Sequence, residues 1–468
     1  MRRLACATVP FLMLCATGGC VTVGPDYKRP PVDAPDAFRG QVPDESSAAS
    51  ESSLGDERWW QLFQDDSLQV LIRTALSHND DVRIAAARIL EAQAQLGLTR
   101  ADQFPTVTAG VNVIGERPSA ALGFPAKNVG AIEAQASAAW ELDFWGRYRR
   151  ATEAARAQLV ASQWGRRAVL TTLVSQVANA YFGLRALDLE LDISRRTLTS
   201  RQESLQLTRV REQGGVTSLV DVRQAEQLVY GAAGEITTLE REIAQQENFI
   251  SVLLGGNPGP IARGRALTDQ PHEPVLPTGL PSSLIERRPD IQQSERQLMA
   301  ANAHIGVARS AYFPQIALTG SGGFESTALA ALFTGTNFIW TAAASAAQPV
   351  FTAGRTRSQV AIAEARREEA TIAYQQTIRR AFREVSDALV GYHKLREFRE
   401  QQQQLLGAAQ DGRRLAEIRY QGGVTSYLEV LDADTRLFDA ELALAQSELS
   451  ELSALVELYR ALGGGWQS

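Results

Sequence analysis

The chain has 468 residues, with 53 acidic against 47 basic side chains and a formal net charge of -6. That balance argues against nucleic acid as a partner. Of its three cysteines, Cys6 and Cys15 sit in an amino-terminal apolar stretch, which excludes a framework of intrachain disulfides.

At the amino terminus, Arg2 and Arg3 precede an apolar run from Leu4 to Leu14, and Ala16, Thr17, Gly18 and Gly19 lead into Cys20. Residues 1–19 therefore read as a secretory signal. Small residues immediately before a cysteine suit a lipoprotein signal peptidase, which makes Cys20 the candidate lipidation site. Thr17 departs from the aliphatic residue usual in such a box, and the alternative is ordinary cleavage near Gly19 with Cys20 unmodified. Loss of the signal removes Arg2 and Arg3 and leaves 45 basic against 53 acidic residues. Residues 20–65 read as an anchor and linker. Beyond the signal no apolar run reaches eighteen residues, so any membrane crossing falls to strands.

An internal repeat organises the rest. Asp81-Val82 matches Asp290-Ile291, Phe104-Pro105 matches Phe313-Pro314, and Gly146 matches Gly354; the hexapeptide Gln213 to Ser218 recurs unchanged as Gln421 to Ser426. All these pairs lie 208 or 209 positions apart. The chain thus divides into a first repeat at 66–255, a linker rich in proline and glycine at 256–281, a second repeat at 282–462 and a tail at 463–468. Each repeat is expected to hold a helix, a pair of strands, a long helix, a Gly-Gly turn and another long helix. Residues 126–257 and 350–468 contain no proline, which permits very long helices. Leu173, Val177, Ala180, Leu184, Leu187 and Leu191 form a heptad seam, as do Phe438, Leu442, Ala445, Leu449, Leu452, Val456 and Tyr459. A helix over 147–212 would be about 100 Å long at about 1.5 Å per residue. Filling an ordinary helical core, the alternative use of such stripes, requires no such length.

Between the helices the period changes to two. Val107, Ala109, Val111 and Val113 alternate with Thr106, Thr108, Gly110 and Asn112, and Ile132, Ala134, Ala136, Ala138, Trp140 and Leu142 alternate with Glu133, Gln135, Ser137 and Glu141. The expected hairpins cover 104–142 and, less sharply patterned, 313–351. Such segments are long enough for tilted strands in an outer membrane, with Phe104, Phe144, Trp145, Tyr312, Phe313 and Phe351 as interfacial aromatics at their ends. The alternative is a soluble ribbon with one face packed on helices. Four strands cannot close a barrel alone, whereas three copies would supply about twelve.

Together these residues resemble a known family. Val23-Gly24-Pro25-Asp26-Tyr27, Arg29-Pro30, Trp59-Trp60 with Phe63, Asp65 and Leu68, Arg287-Arg288-Pro289-Asp290-Ile291, Ile305-Gly306, and Phe313-Pro314 with Gly320 stand in the order seen in outer-membrane efflux proteins of the TolC and OprM type, especially their NodT-type lipoprotein branch. The resemblance implies a fold that is mainly α with a membrane β-barrel portion. A long coiled-coil helical tube and four strands per chain would close as a 12-stranded barrel in a homotrimer, lipid-anchored in the outer membrane with the tube in the periplasm. It also implies a periplasmic adaptor and an inner-membrane pump of the resistance-nodulation-division class as partners, with small molecules passing chemically unchanged.

Site residues follow from the turns and from that resemblance. Gly214, Gly215, Val216, Thr217 and Ser218, with Gly422, Gly423, Val424, Thr425 and Ser426, would form the hairpin tips, where glycine allows a left-handed backbone and a hydroxyl caps the next helix. The family docks its adaptor on such tips; the plain alternative is a purely structural hairpin. Glu429 and Asp432 share one helical face, and a threefold axis would gather their carboxylates. The resemblance matches them to the acids of a closed periplasmic aperture, with Leu428 as the apolar constriction. Thr435 stands where the family has an arginine, with Arg436 following, and Asp221 takes Glu429's place in the first repeat. Alternatively, these acids lie solvated on the outer face of the tube.

Catalytic chemistry is not legible. His78, His272, His304 and His393 are scattered, no metalloprotease, redox, phosphate-loop or nucleophile motif occurs, and Met299 is the one methionine left after the signal. The expectation is a protein that is not an enzyme and has neither cofactor nor metal. Two other functions fit less of the pattern: an outer-membrane duct for type I protein secretion, and a periplasmic coiled-coil lipoprotein without a pore.

Overall fold

A computed structural model of the chain describes residues 22–40, 53–117, 121, 128–271 and 279–466. Cys20 with its signal, His272 with part of the inter-repeat linker, and the last two residues of the tail lie outside the described residues.

Two copies of one element series follow each other. The first comprises α1 (Asp66–His78), α2 (Asp80–Ala101), β1 (Thr106–Glu116), β2 (Val129–Leu142), α3 (Arg147–Gln213) and α4 (Leu219–Leu253). The second comprises α5 (Pro281–Arg287), α6 (Pro289–Ser310), β3 (Gln315–Ser326), β4 (Phe338–Ala347), α7 (Arg355–Gln421) and α8 (Tyr427–Ala461). Both α3 and α7 run for 67 residues, and both α4 and α8 for 35. With its four antiparallel strands, the chain is mainly helical.

The described residues fall into two compact units, each drawing on both repeats. The first takes its residues from Met1–Pro31, Arg88–Gln163 and Gln293–Gln375. It holds a sheet of order β1-β2-β3-β4. The register joins the repeats through β2 and β3, where Ala136 faces Gly322 and Ser137 faces Ser321. It also puts polar residues of all four strands in one row, Thr108, Ser137, Ser321 and Thr341, with Thr108 to Ser137 and Ser321 to Thr341 hydrogen bonded at 2.8 Å. Because side chains alternate along a strand, the apolar residues share the opposite face. That face is not packed on helices: Val107, Val111, Val113 and Trp340 are all exposed. Next to the sheet, α3 and α6 meet through small residues, Ala154 and Ala157 against Ala300 and Ala303, all buried.

An extended amino-terminal strap, residues 22–31, is fixed to this unit. Gly24, at φ +106°, approaches Gly306 so closely that a Cβ would lie 2.5 Å from its Cα. Arg150 binds Asp26 at 2.7 Å, and Arg29 makes a two-point pair with Glu295, Nε to Oε1 and Nη2 to Oε2, both 2.7 Å. A Gly-Pro-Asp-Tyr motif and an Ile-Gly pair nearly three hundred residues apart in sequence thus serve one contact.

The second unit takes Val32–Ala87, Trp164–Gln292 and Gln376–Ser468. Heptad residues Leu173, Val177, Ala180, Leu184 and Leu191 are buried on α3, as are Ala445, Leu452, Val456 and Tyr459 on α8. Asp65 is its polar hub. The carboxylate caps α1 through the Ser67 and Leu68 amides and also accepts from Tyr181, Gln270 and the Arg265 amide. These bonds hold Asp65 below its usual pKa although burial works the other way. Asn79 donates to Leu253 O at 2.9 Å and its repeat counterpart Arg288 to Ala461 O at 3.0 Å, so different chemistry makes the same tie in each repeat.

Candidate functional site

The two Gly-Gly turns fold alike. Gly215 and Gly423 have φ values of +72° and +71°, the left-handed conformation that ends a helix, and Val216 N and Val424 N each reach back five residues to Arg211 O and Arg419 O at 2.9 Å. Beyond the glycines, Thr217 donates to Asp221 and Thr425 to Glu429. Ser218 completes a capping box with Asp221, whereas Ser426 makes no side-chain cap bond. The Thr217 hydroxyl bond, joined by Ser218, holds Asp221 below the usual carboxylate range. Val216 and Val424 are left 77% and 72% exposed, apolar knobs at the very ends of their hairpins.

Past the second turn, Leu428 is exposed, Glu429 lies 3.5 Å from Arg419, and Asp432 pairs with Arg436 at 2.9 Å on the helix surface. Thr435 bonds its own helix instead, its hydroxyl donating to Leu431 O at 2.9 Å. Arg436 is thus the arginine paired with Asp432.

Sequence reasoning missed what lies behind the tips. Leu205, Val222, Ala225 and Val229 of the first hairpin pack with Tyr427 and Leu431 of the second. Asp434 pairs there with Arg201 of α3 and Arg413 of α7. The one available signal was the repeat itself, which places Asp434 opposite Glu226; its partners lie too far off in sequence to be read. Among the described residues no group of three or more His, Cys, Asp or Glu is placed to hold a metal ion, and no helix is long and apolar enough to cross a membrane.

Comparison with known proteins settles the family. A family model described as Outer membrane efflux protein matches residues 71–256 and, a second time, 280–464. The chain belongs to the outer membrane efflux protein family. It is 39% identical over 472 residues to the toluene efflux pump outer membrane protein TtgC of Pseudomonas putida, covering 99% of this chain and 95% of TtgC. It is 34% identical over 466 residues to the cation efflux system protein CusC of Escherichia coli O6:H1, covering 99% of each. The open-state crystal structure of the outer membrane channel MtrE from Neisseria gonorrhoeae superposes with a TM-score of 0.86 at 30% identity, over 95% of this chain and 99% of MtrE. Like its relatives, this outer membrane efflux protein is the outer-membrane component of an efflux system, and members of the family are transport channels.

Proposed function

We propose that three copies of this chain close a twelve-stranded barrel in the outer membrane, continue it as a helical tube in the periplasm, and pass exported small molecules without chemical change. One observation carries the reading: a four-stranded sheet with two open edges and an exposed apolar face. In lipid such edges leave backbone groups unbonded, and only further copies supply their partners.

The pump partners are supported by the relatives, which are outer-membrane components of efflux systems. The exposed knobs Val216 and Val424 and their turns are the surface for a periplasmic adaptor, and an inner-membrane pump of the resistance-nodulation-division class supplies cargo and energy. Leu428, Glu429 and Asp432, with Asp221 beside them, form the periplasmic aperture, where carboxylates from three subunits favour cations. TtgC and CusC are named for toluene and for cations, yet this chain matches both over 99% of its length, which supports cargo selection by the pump. Thr22 lies against Gly146, just past the end of β2, so a lipid on Cys20, two residues upstream, would enter the membrane beside the barrel.

The test is purified mature protein in detergent. A trimer that dissociates only on heating and forms conducting channels in planar bilayers is expected. A polypeptide that is monomeric, soluble without detergent and non-conducting overturns the reading.

A further inference from the structure

We propose that a groove over α6 binds small organic anions with an apolar body, such as aryl sulfonates and carboxylates, and holds them inside the conduit. The proposal rests on the tube described above for where the groove opens, and adds to it a site and a ligand class.

The groove, of about 800 Å³, lies wholly within the first unit, over α6 and between walls from α3 and α7. Small-molecule sites typically span ~300–1,000 Å³. Its floor is the side of α6 that carries Gln297, Ala301, His304 and Ala308. The amino-terminal strap is bound to α6 through Glu295, through Asn302, whose amide donates to Pro25 O at 2.9 Å, and at Gly306. Positions two apart on a helix differ by about 200°, so groove and strap take opposite sides of α6.

The sheet fixes the direction in which the groove opens. Gln315, which lines it, stands an even number of positions before Ser321 and so shares the face of the polar row on β3. On the α3 wall, Arg147 pairs at 3.2 Å with Glu141, which shares the same face of β2 with Ser137. The groove therefore lies toward the polar side of the sheet, away from the exposed apolar face. In a closed barrel that side is the lumen.

Charge selects the ligand. The lining includes Arg147, His304, Arg366 and four glutamines, and no acidic residue among those described. In a chain of net charge -6 this is a local reversal of sign. Arg147 is answered by Glu141, but Arg366 makes no ion pair among the described residues. Glu364 and Glu368 on the same helix are taken by Arg309 at 2.6 Å and by Arg367 at 4.0 Å. His304 feels the Arg366 charge: its pKa is held below the usual value by loss of water among the groove walls and then by Arg366. A sulfonate or carboxylate seated there would complete an open guanidinium, whose fork matches such oxygens two at a time. Ala300, Ala301, Ala308, Ile362 and Ala363 offer the apolar surface for the rest of the molecule.

The test titrates the mature trimer, in nanodiscs of uncharged lipid, with naphthalene-1-sulfonate and with its neutral analogue naphthalene-1-sulfonamide. The sulfonate should bind several-fold more tightly. Arg366→Gln should weaken the sulfonate about tenfold to a hundredfold, the range for one hydrogen bond to a charged group, and bring the two ligands level. Ala301→Phe, which fills the floor, should weaken both, whereas Arg83→Gln, in an exposed pair with Asp80, should change neither. Unboiled gels report that each variant remains a trimer; if Ala301→Phe does not, Arg366→Gln alone decides. No binding, equal affinity of the parent for the two ligands, or unchanged sulfonate affinity in Arg366→Gln overturns the anion site. Conduction by the same preparation in planar bilayers leaves the conduit standing in each of those cases. A non-conducting monomer overturns the conduit, and with it the place of the groove in a lumen.

Discussion

Asp434 of α8 and Arg201 of α3 form a buried ion pair, Oδ2 to Nε at 2.9 Å, that crosses from the second repeat to the first. The other carboxylate oxygen lies 3.1 Å from Arg413 Nε on α7, and Arg201 also donates to Leu228 O and lies 5.0 Å from the centre of the Phe438 ring. Three helices, and through Leu228 a fourth, are held to one carboxylate close behind the residues proposed as the aperture. Glu226, the repeat counterpart, pairs instead with the more exposed Arg209 and Arg223.

Removing the Asp434 carboxylate leaves Arg201 buried and uncompensated, a situation that typically costs about 3–5 kcal/mol. Asp434→Ala should therefore lower resistance to urea by that order and raise single-channel conductance, because α8 loses its tie to α3. Glu226→Gln should change neither. Equal effects of the two substitutions in denaturation and bilayer recordings would show that the buried bridge has no special weight.

Asp432 is paired on the helix surface, where an ion pair contributes little to stability. Asp432→Lys should accordingly leave the melting temperature within about 2 °C of the parent, since surface changes seldom exceed about 0.5 kcal/mol. If Asp432 lines the proposed aperture, three inverted charges there should reduce cation over anion selectivity, read as a shift in reversal potential under a salt gradient. An unchanged reversal potential removes Asp432 from the aperture.

Gly24 admits no side chain, because its φ is +106° and a Cβ would meet the Gly306 backbone at 2.5 Å. Gly24→Ala should detach the strap or strain it by about 1–3 kcal/mol, exposing residues 22–31 to limited proteolysis. Gly97→Ala, on an exposed stretch of α2 with no atom within 4 Å of the new methyl, should be neutral or stabilising by up to about 1 kcal/mol. Intact straps in both variants, judged by mass spectrometry of the fragments, would contradict the packing.

Glu190 on α3 has a pKa raised to about 7 by burial and by Glu235 and Glu242 on α4. A carboxyl with a raised native pKa stays neutral in the fold while the unfolded chain ionises, so its contribution is fully present below about 4.5 and is lost as pH rises through about 7. Glu190→Gln should thus match the parent at pH 4 and exceed it at pH 8, by about 1–2 kcal/mol once solvent screening is allowed for. Parallel stability profiles for the two proteins would refute the assignment.

Much of this was legible in the residues. The 208-residue spacing, the heptad seams and the alternation of Val107 to Val113 are local or periodic signals, and each is set by the geometry of one helix or one strand. The roles of Gly24, Asn79 and Asp434 were not. Gly24 stands in a short motif whose contact with Gly306 no local pattern gives, and Asn79 and Arg288 share no chemistry although they make the same tie.

The sequence alone determined the duplication, the long proline-free helices, the four strands and the residues of the tips, because periodicity and turn chemistry act over a few residues at a time. Tertiary structure decided which carboxylate bridges separate helices. Asp221 and Asp432 find Thr217 and Arg436 four residues away along their own segment, whereas Asp434 meets Arg201 only because packing brings α3 against α8.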